Sequence, residues 1–428
     1  MINGKVLYGW AKEIYPIHRS LTGEGNRKTL NFIKDKIPGL KIKSIRSGKK
    51  VFGWQIPNEW IIKDAYIKNA KGKKIVNIKD NNLHIVGYSS PINKKLKLNE
   101  LKKNLYTLPD QPSAIPYITS YYAKHWGFCI SHNQFKKLKN ETYSVYIDSK
   151  FKKGVLNYGE IIVPGKTKKE ILISTNICHP SMGNNETSGI VVTTALAKWI
   201  KDLKGRKYTY RIIFIPETIG SIAYIHLHKS NLKKNVKAGF VVVCVGDDKN
   251  YSLLNSKEGN TLSDRAARYA LENYVKKFKT FSFLERGSDE RQFCSPGVDL
   301  PICSIMRSKY GTYPEYHTSL DNLNFISEKG LYGAYKILMK TIEIIEINQT
   351  YKNSYKLLCE PKLSDYNLRS PISFKKSYDY DKHLLNILFL SDGKTDLLKL
   401  SEKINLDIFE VSNISKRLKQ SGLLKLAK

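Results

Sequence analysis

The chain has no apolar run long enough to cross a membrane. Its longest, such as Gly239–Val245, fall far short of the roughly 20 residues a span requires. The opening MINGKVLYGWAKEIYPIHRS does not read as a secretory leader, because Lys, Trp and Glu interrupt any apolar core. Cysteine is sparse: Cys129, Cys178, Cys244, Cys294, Cys303 and Cys359 form no CxxC pair and no regular framework, which argues against a disulfide-stapled scaffold and reads as reduced, mostly buried thiols. A soluble cytoplasmic protein, with no membrane partner, is the expectation.

Acidic residues are also scarce, 38 against 72 Lys and Arg, leaving a formal charge of +34. A basic balance is what phosphate binding requires. The excess is nevertheless mostly Lys, spread from end to end in a chain rich in Asn, Ile and Tyr, so it reads as a solvated surface rather than a focused nucleic-acid patch. What is present is enough material for a large core: 428 residues, 41% of them hydrophobic, accommodate one catalytic domain and one or two smaller modules.

Apolar spacing at Leu7, Trp10, Ala11, Ile14 and Tyr15 predicts a helix broken at Pro16, and a second follows over Arg27–Ile37. Residues 41–109 change texture to short alternating runs punctuated by Gly and Asn, a small β-rich insert. From Tyr143 strands and helices alternate: TYSVYID, GEIIVPG, EILISTN, a helix from Ser188, RIIFIPE, a helix from Ile219, GFVVVCV, a helix from Ser263, LPICSIM and a long helix over Ser327–Ile347. This predicts an α/β fold with a mixed, mostly parallel sheet flanked by helices, formed by residues 1–40 and 110–355. Residues 356–428 read as a linker and three short helices in the outline of a winged-helix module, with Lys416, Arg417 and Lys419 enriching the third. DNA is a partner such a module offers; many dock proteins instead.

Chemistry concentrates at strand ends. ILISTN runs into Cys178-His179-Pro180, and RIIFIPE ends on Glu217. YHTSLDN supplies His317 in a loop, with Asp321 placed to orient its ring. Open α/β sheets hold their sites at such edges, and two histidines with a carboxylate suggest one metal-assisted site. Taken singly, His179 also fits a core histidine, and Glu217 a helix cap as well as a general base.

In order, His179 with the loop ending Ser188-Gly189, PETIGS at 216–221, Gly287-Ser288-Asp289, and YHTSLDN at 316–322 resemble the M28-type zinc aminopeptidases. YPIHRSLTGEGNRKTL, LPDQPSAIPY, WGFCISHNQ and GSDERQFCSPGVDLPICS extend the similarity to a bacterial aminopeptidase-like family (DUF2172/DUF4910) with a small β insert and a C-terminal winged helix. The resemblance implies amide or peptide hydrolysis, associated with surface-polysaccharide or glycan biosynthesis. Its dinuclear ligand set is incomplete here: Asn185 stands at the bridging Asp, Glu186 at the following Asn, Glu217-Thr218 at a glutamate pair, and Val243-Cys244 where another Asp is expected.

A neutral amide bridges two dications poorly, so the resemblance implies one zinc per chain, held by His179, His317 and one carboxylate, Glu186 first and Asp247 second. Glu217 is the implied base. Asn185, Asp289, Glu290, Arg291 and Arg19 are the implied contacts to a small peptide or amide substrate. Two other readings stand beside this one: a deacylase acting on an amino sugar or another small precursor, and a catalytically impaired regulatory protein using the winged helix for DNA or a protein partner. A homo-oligomer is compatible with all three.

Overall fold

A computed structural model describes residues 2–275, 277–354, 359–368 and 375–427. The chain divides into two compact units, Met1–Leu338 and Met339–Lys428.

The first unit is built on an eight-stranded sheet whose strands lie in the order 41–46, 155–163, 209–215, 170–176, 236–241, 302–306, 252–254 and 279–281. The strand Glu170–Asn176 is parallel to both Thr209–Ile215 and Val236–Val241, which in turn runs parallel to Ile302–Met306. Antiparallel pairings extend the sheet at both sides. Of the central strands, Glu170–Asn176 is buried along its whole length and Thr209–Ile215 along all but its first residue. This is why ILIS and RIIFI read as continuous apolar runs rather than alternating ones: helices cover both faces.

Gly189–Asp202 packs with Gly4–Ile14 and Glu24–Lys36. Ile219–Asn235 and Leu262–Tyr274 pack on Val236–Val241. Register decides where the chemistry falls. Asn176 pairs with Ile215 and Ser174 with Val241, so the loops carrying His179, Glu217 and Cys244 leave the same sheet edge. At the opposite end Arg211 bonds Glu170 through two nitrogens, at 2.6 and 2.8 Å, and Glu160 at 3.0 Å, a buried charge cluster satisfied on every side.

A second, four-stranded antiparallel sheet orders 74–77, 59–68, 142–152 and 92–97. The insert expected over 41–109 is therefore not self-contained. Its first strand, Lys41–Arg46, joins the large sheet, and its longest, Glu59–Lys68, pairs along its length with Thr142–Lys152 from outside the insert. Strands this short find their core only against a longer partner.

In the second unit, Thr350–Asn353 is the central strand, antiparallel to both Asp392–Asp396 and Leu424–Leu426. The helices are Lys375–Leu390, Leu397–Ile404 and Ile408–Gln420. The module thus begins before the expected boundary at 356, because a strand on the core side of that boundary centres its sheet. Of the expected linker, residues 369–374 lie outside the described residues. Lys416 and Lys419 are exposed on the third helix, whereas Arg417 is engaged by Tyr380.

Candidate active site

His179 leaves the 170–176 strand and is followed by a turn the chain tolerates only under constraint. Ser181 has φ +42°, and residues Gly183–Ser188 form a π-type turn in which Asn185 departs from helical geometry, φ −111° and ψ 84°. Such turns occur often at functional sites. Two glycines permit it. A Cβ at Gly183 would sit 2.4 Å from the Asn322 carbonyl oxygen, and one at Gly189 the same distance from that of Val242. Asp321, expected beside His317, instead accepts the backbone N–H groups of Asn184 (2.6 Å) and Asn185 (3.0 Å), fixing the turn.

Glu186 points back beneath His179. It accepts the His179 backbone N–H at 2.7 Å and lies 2.8 Å from Nδ1 of the ring, while Arg19 Nε reaches it at 3.3 Å. Both carboxylate oxygens are engaged, and Arg19 and Glu186 are fully buried. Burial alone would raise the Glu186 pKa, but His179 and Arg19 outweigh it and hold the carboxyl below its usual range. Glu186 was expected as a metal ligand; here it is the carboxylate that fixes the tautomer and ring plane of His179, leaving Nε2 free to face the pocket. Arg19 serves Glu186, the His179 carbonyl at 3.0 Å and Thr187, not a substrate. Cys178 Sγ, His179 and Glu186 lie within 4.8 Å of one another, yet this trio is not a ready metal site. Burial pushes the Cys178 thiol well up, its sulfur accepts the Glu217 N–H, and Glu186 is already committed.

Glu217 is aimed by backbone strain. Thr218 stands at φ +61°, ψ −79°, and the Ile219 N–H bonds the Glu217 carbonyl at 2.8 Å, a tight γ-type turn rarely adopted by a β-branched residue. Asp289 holds that turn, its Oδ1 accepting the Thr218 N–H and Ser221 Oγ–H, both at 2.8 Å. Burial, and then the Glu217 charge, push its pKa up to about 8. Ser288 donates to Glu217 Oε1 at 2.8 Å, and Glu217 Oε2 lies 3.7 Å from His179 Nε2.

His317 adopts φ +57° and stacks on Tyr316, ring centroids 3.9 Å apart. Its ring centroid is 5.4 Å from that of His179, and its Nε2 is 3.0 Å from Asn185 Nδ2. Burial, then the neighbouring His179, push its pKa down to about 3, so its imidazole is neutral. Backbone strain at Thr218 and His317, with Ser181 and Cys244 in the adjoining loops, is the pattern expected where a fold over-determines a functional geometry.

His179, Glu217, Thr218, Arg291 and His317 line one pocket of about 330 Å³, walled by Tyr117 and Tyr121. The Arg291 side chain donates to Thr218 Oγ1 at 2.7 Å, and its Nε is buried with no partner. Other expected site residues lie elsewhere. Asp247 is spent on Asn184, the Lys249 N–H and Ser308, and Glu290 accepts the Gly287 and Ser288 N–H groups and the Tyr310 hydroxyl. Asp289 and Glu290 stand behind the pocket wall rather than in it. The aromatic wall and Ser288 were not among the expected site residues. The Ser120-Tyr121-Tyr122 run in a Pro-rich loop was the available signal for the wall.

The pocket's donors are of the kind a metal ion takes. Two imidazoles, their ring centroids 5.4 Å apart, and the Glu217 carboxylate line the same pocket, and the His317 imidazole is held neutral as ligation requires. At the position expected to bridge two ions stands the Asn185 amide. Thr218 brings no carboxylate, and the Cys244 thiol, pushed well up by burial, faces the Tyr313 hydroxyl.

Fold and site together define a protein of the zinc-aminopeptidase fold. The structure is similar to a zinc aminopeptidase from Bacillus subtilis (TM-score 0.59, 14% identity, 80% of this chain and 95% of that one) and to an M28 peptidase precursor from Shewanella amazonensis (TM-score 0.55, 12% identity, 84% and 98%). Within that class, the chain belongs to the family described as a domain of unknown function, DUF4910, whose model matches residues 8–348; a winged helix-turn-helix model matches 349–426.

A Clostridium acetobutylicum protein is 42% identical over 426 residues, 99% of this chain and 96% of its own. It carries the provisional name of a polysaccharide biosynthesis protein with an aminopeptidase-like domain. A crystal structure of a provisionally named peptidase from the same organism superposes with a TM-score of 0.92 at 41% identity, over 99% and 96% of the two chains. No helix among the described residues is long and apolar enough to cross a membrane.

Proposed function

We propose that this protein is a metal-dependent amide hydrolase that uses one zinc ion and acts on a small precursor in polysaccharide biosynthesis. The observation that carries the reading is the convergence of His179, His317 and Glu217 on one pocket, with Glu186 and Arg19 buried behind His179 to fix its ring. His179 and His317 would hold the ion, with the Asn185 amide beside them as a neutral donor. A bound zinc supplies Lewis acidity toward the amide carbonyl and a more acidic water.

The protein's own part is positional and acid–base. Glu217, anchored through Oε1 by Ser288 and turned inward by the strained Thr218, presents Oε2 on the His179 side of the pocket to take a proton from water and return it to the leaving nitrogen. Tyr117 packs against both imidazoles, its ring 5.2 Å from each, and excludes solvent from that side. Arg291 brings a guanidinium held by Thr218 to the same pocket, where Glu217 is the one carboxylate among the lining residues. A charge-assisted contact to an acidic or carbonyl group of the substrate follows. A free ammonium would find no second carboxylate there, so deacylation of an N-acyl compound fits this pocket better than removal of an N-terminal amino acid.

Five buried, unpaired thiols suit a reducing cytoplasm. The winged-helix module presents Lys416, Lys419 and Lys425 outward, a surface for DNA or an acidic protein partner. The test is a hydrolysis assay on zinc-loaded protein. Acetate release from N-acetylated amino sugars that exceeds hydrolysis of amino-acid anilides supports the reading, and the reverse order contradicts it.

A further inference from the structure

Beside the catalytic pocket lies a larger groove of about 680 Å³, and the two share Tyr121 and Tyr122 as a common wall. It is built where sequence proximity gives no hint. The hairpin of strands Lys50–Val51 and Trp54–Gln55 meets the 117–124 loop, and Tyr122 donates its hydroxyl hydrogen to the Gln55 carbonyl at 2.8 Å, clipping the two together. Tyr122, which lines both cavities, and Trp54, which lines the catalytic pocket, hold their rings 6.3 Å apart and remain 54% and 45% exposed; Phe151, in the groove, is 40% exposed. Tyr121 holds φ +26° in the wall and hydrogen-bonds Tyr117, which itself packs on both site histidines.

Aromatic rings left half in water are costly unless something covers them. The groove's other lining groups narrow what that is. Gln55, Asn58, Ser90 and Lys124 line the groove with neutral hydrogen-bonding groups and one cation, and no carboxylate is among its lining residues. A flat apolar face edged by such groups matches a ligand that is itself apolar on one face and hydroxylated at its rim. A phosphate-rich ligand would call for more than one cation, and a peptide N-terminus for an acid.

We infer that this groove, with Trp54 on the catalytic-pocket side of Tyr122, is a subsite for a pyranose ring packed against Tyr122 and Trp54, and that it delivers the sugar-borne amide of the substrate to Glu217. The inference rests on the amide-hydrolase reading only for the bond that is cut; binding of the sugar is independent of it. Ring stacking against fixed aromatic faces gains area at little entropy cost, and continuity through Tyr121 and Tyr122 sets the sugar next to the catalytic carboxylate.

Calorimetric titration of the full chain with triacetylchitotriose, a soluble oligomer of N-acetylglucosamine, tests this with or without zinc. Saturable binding is expected, at least tenfold weaker in Trp54→Ala and Tyr122→Ala, largely kept in Trp54→Phe, and unchanged in Glu217→Gln. Circular dichroism of each variant verifies the fold, and exposed Trp54 leaves little core to lose. Persistence of binding in Glu217→Gln together with loss of hydrolysis would separate this subsite from the catalytic reading. Absence of binding at millimolar sugar, undiminished binding in folded Trp54→Ala, or displacement of the sugar by a phenylalanine dipeptide would each overturn it.

Discussion

The carboxylate of Glu186 lies 2.8 Å from Nδ1 of His179 and is itself anchored by Arg19, so His179 turns its Nε2 toward the pocket. Seven residues separate the pair in sequence, and the intervening π-type turn folds one beneath the other. A ligating histidine whose second nitrogen is held by a carboxylate is oriented before any ion arrives.

Replacing Glu186 by Gln keeps the shape and removes the charge. Zinc affinity, measured by competition with a chromophoric chelator, is expected to fall about 10- to 100-fold, while the fold survives because Arg19 retains the His179 and Ile14 carbonyls. Unchanged affinity would show that Glu186 does not orient the ligand.

Asn185 occupies the position expected to bridge two ions, and its amide contacts His317 Nε2 at 3.0 Å. Asn185→Asp adds an anionic oxygen donor at that point. We expect tighter metal binding, by about tenfold or more, since a carboxylate outbinds a neutral amide for a dication. Equilibrium dialysis at graded free zinc reads the difference, and equal or weaker binding contradicts the placement of the ion beside Asn185.

Stability at low pH depends on the charge cluster at the far end of the sheet. Burial pushes Glu160 upward, but Lys43, Tyr224 and Arg211 outweigh it and leave its pKa depressed. A depressed carboxyl contributes stability above its unfolded pKa of about 4.3 and loses that contribution as pH falls through the lower folded value. Glu160→Gln is therefore expected to lower stability by about 1–3 kcal/mol at neutral pH and to lose less than the wild type on acidification. Chemical denaturation from pH 7 down to about 3 measures both effects, and parallel curves for the two proteins contradict the assignment.

Much of this site was legible in the chain because strand ends announce themselves: an apolar run that stops at His179 or Glu217 can only place that residue at a sheet edge. His317 was equally plain in YHTSLDN. The orienting role proposed for Glu186 was hidden because a carboxylate near a histidine looks the same in sequence whether it ligates or orients; what favours orientation is Arg19, 167 residues away. Asp247 was misread for a related reason, since its partners Asn184 and Ser308 come from separate loops. The boundary of the β insert failed because strand pairing is non-local, and the partner of Glu59–Lys68 lies beyond residue 140. The aromatic groove was hidden for the same cause, being assembled from a hairpin near residue 54 and a loop near residue 122.

The central claim is that His179 and His317 hold a single zinc ion while Glu217 serves as base and not as ligand. Elemental analysis of the full chain, purified without chelators, tests it in the wild type, His317→Ala and Glu217→Gln, alongside turnover. About one zinc per chain is expected in the wild type and in Glu217→Gln, with loss of the ion in His317→Ala and a fall in turnover of about 10²- to 10⁴-fold in Glu217→Gln. A wild-type protein that carries no metal, or a Glu217→Gln variant that loses its zinc, would contradict it.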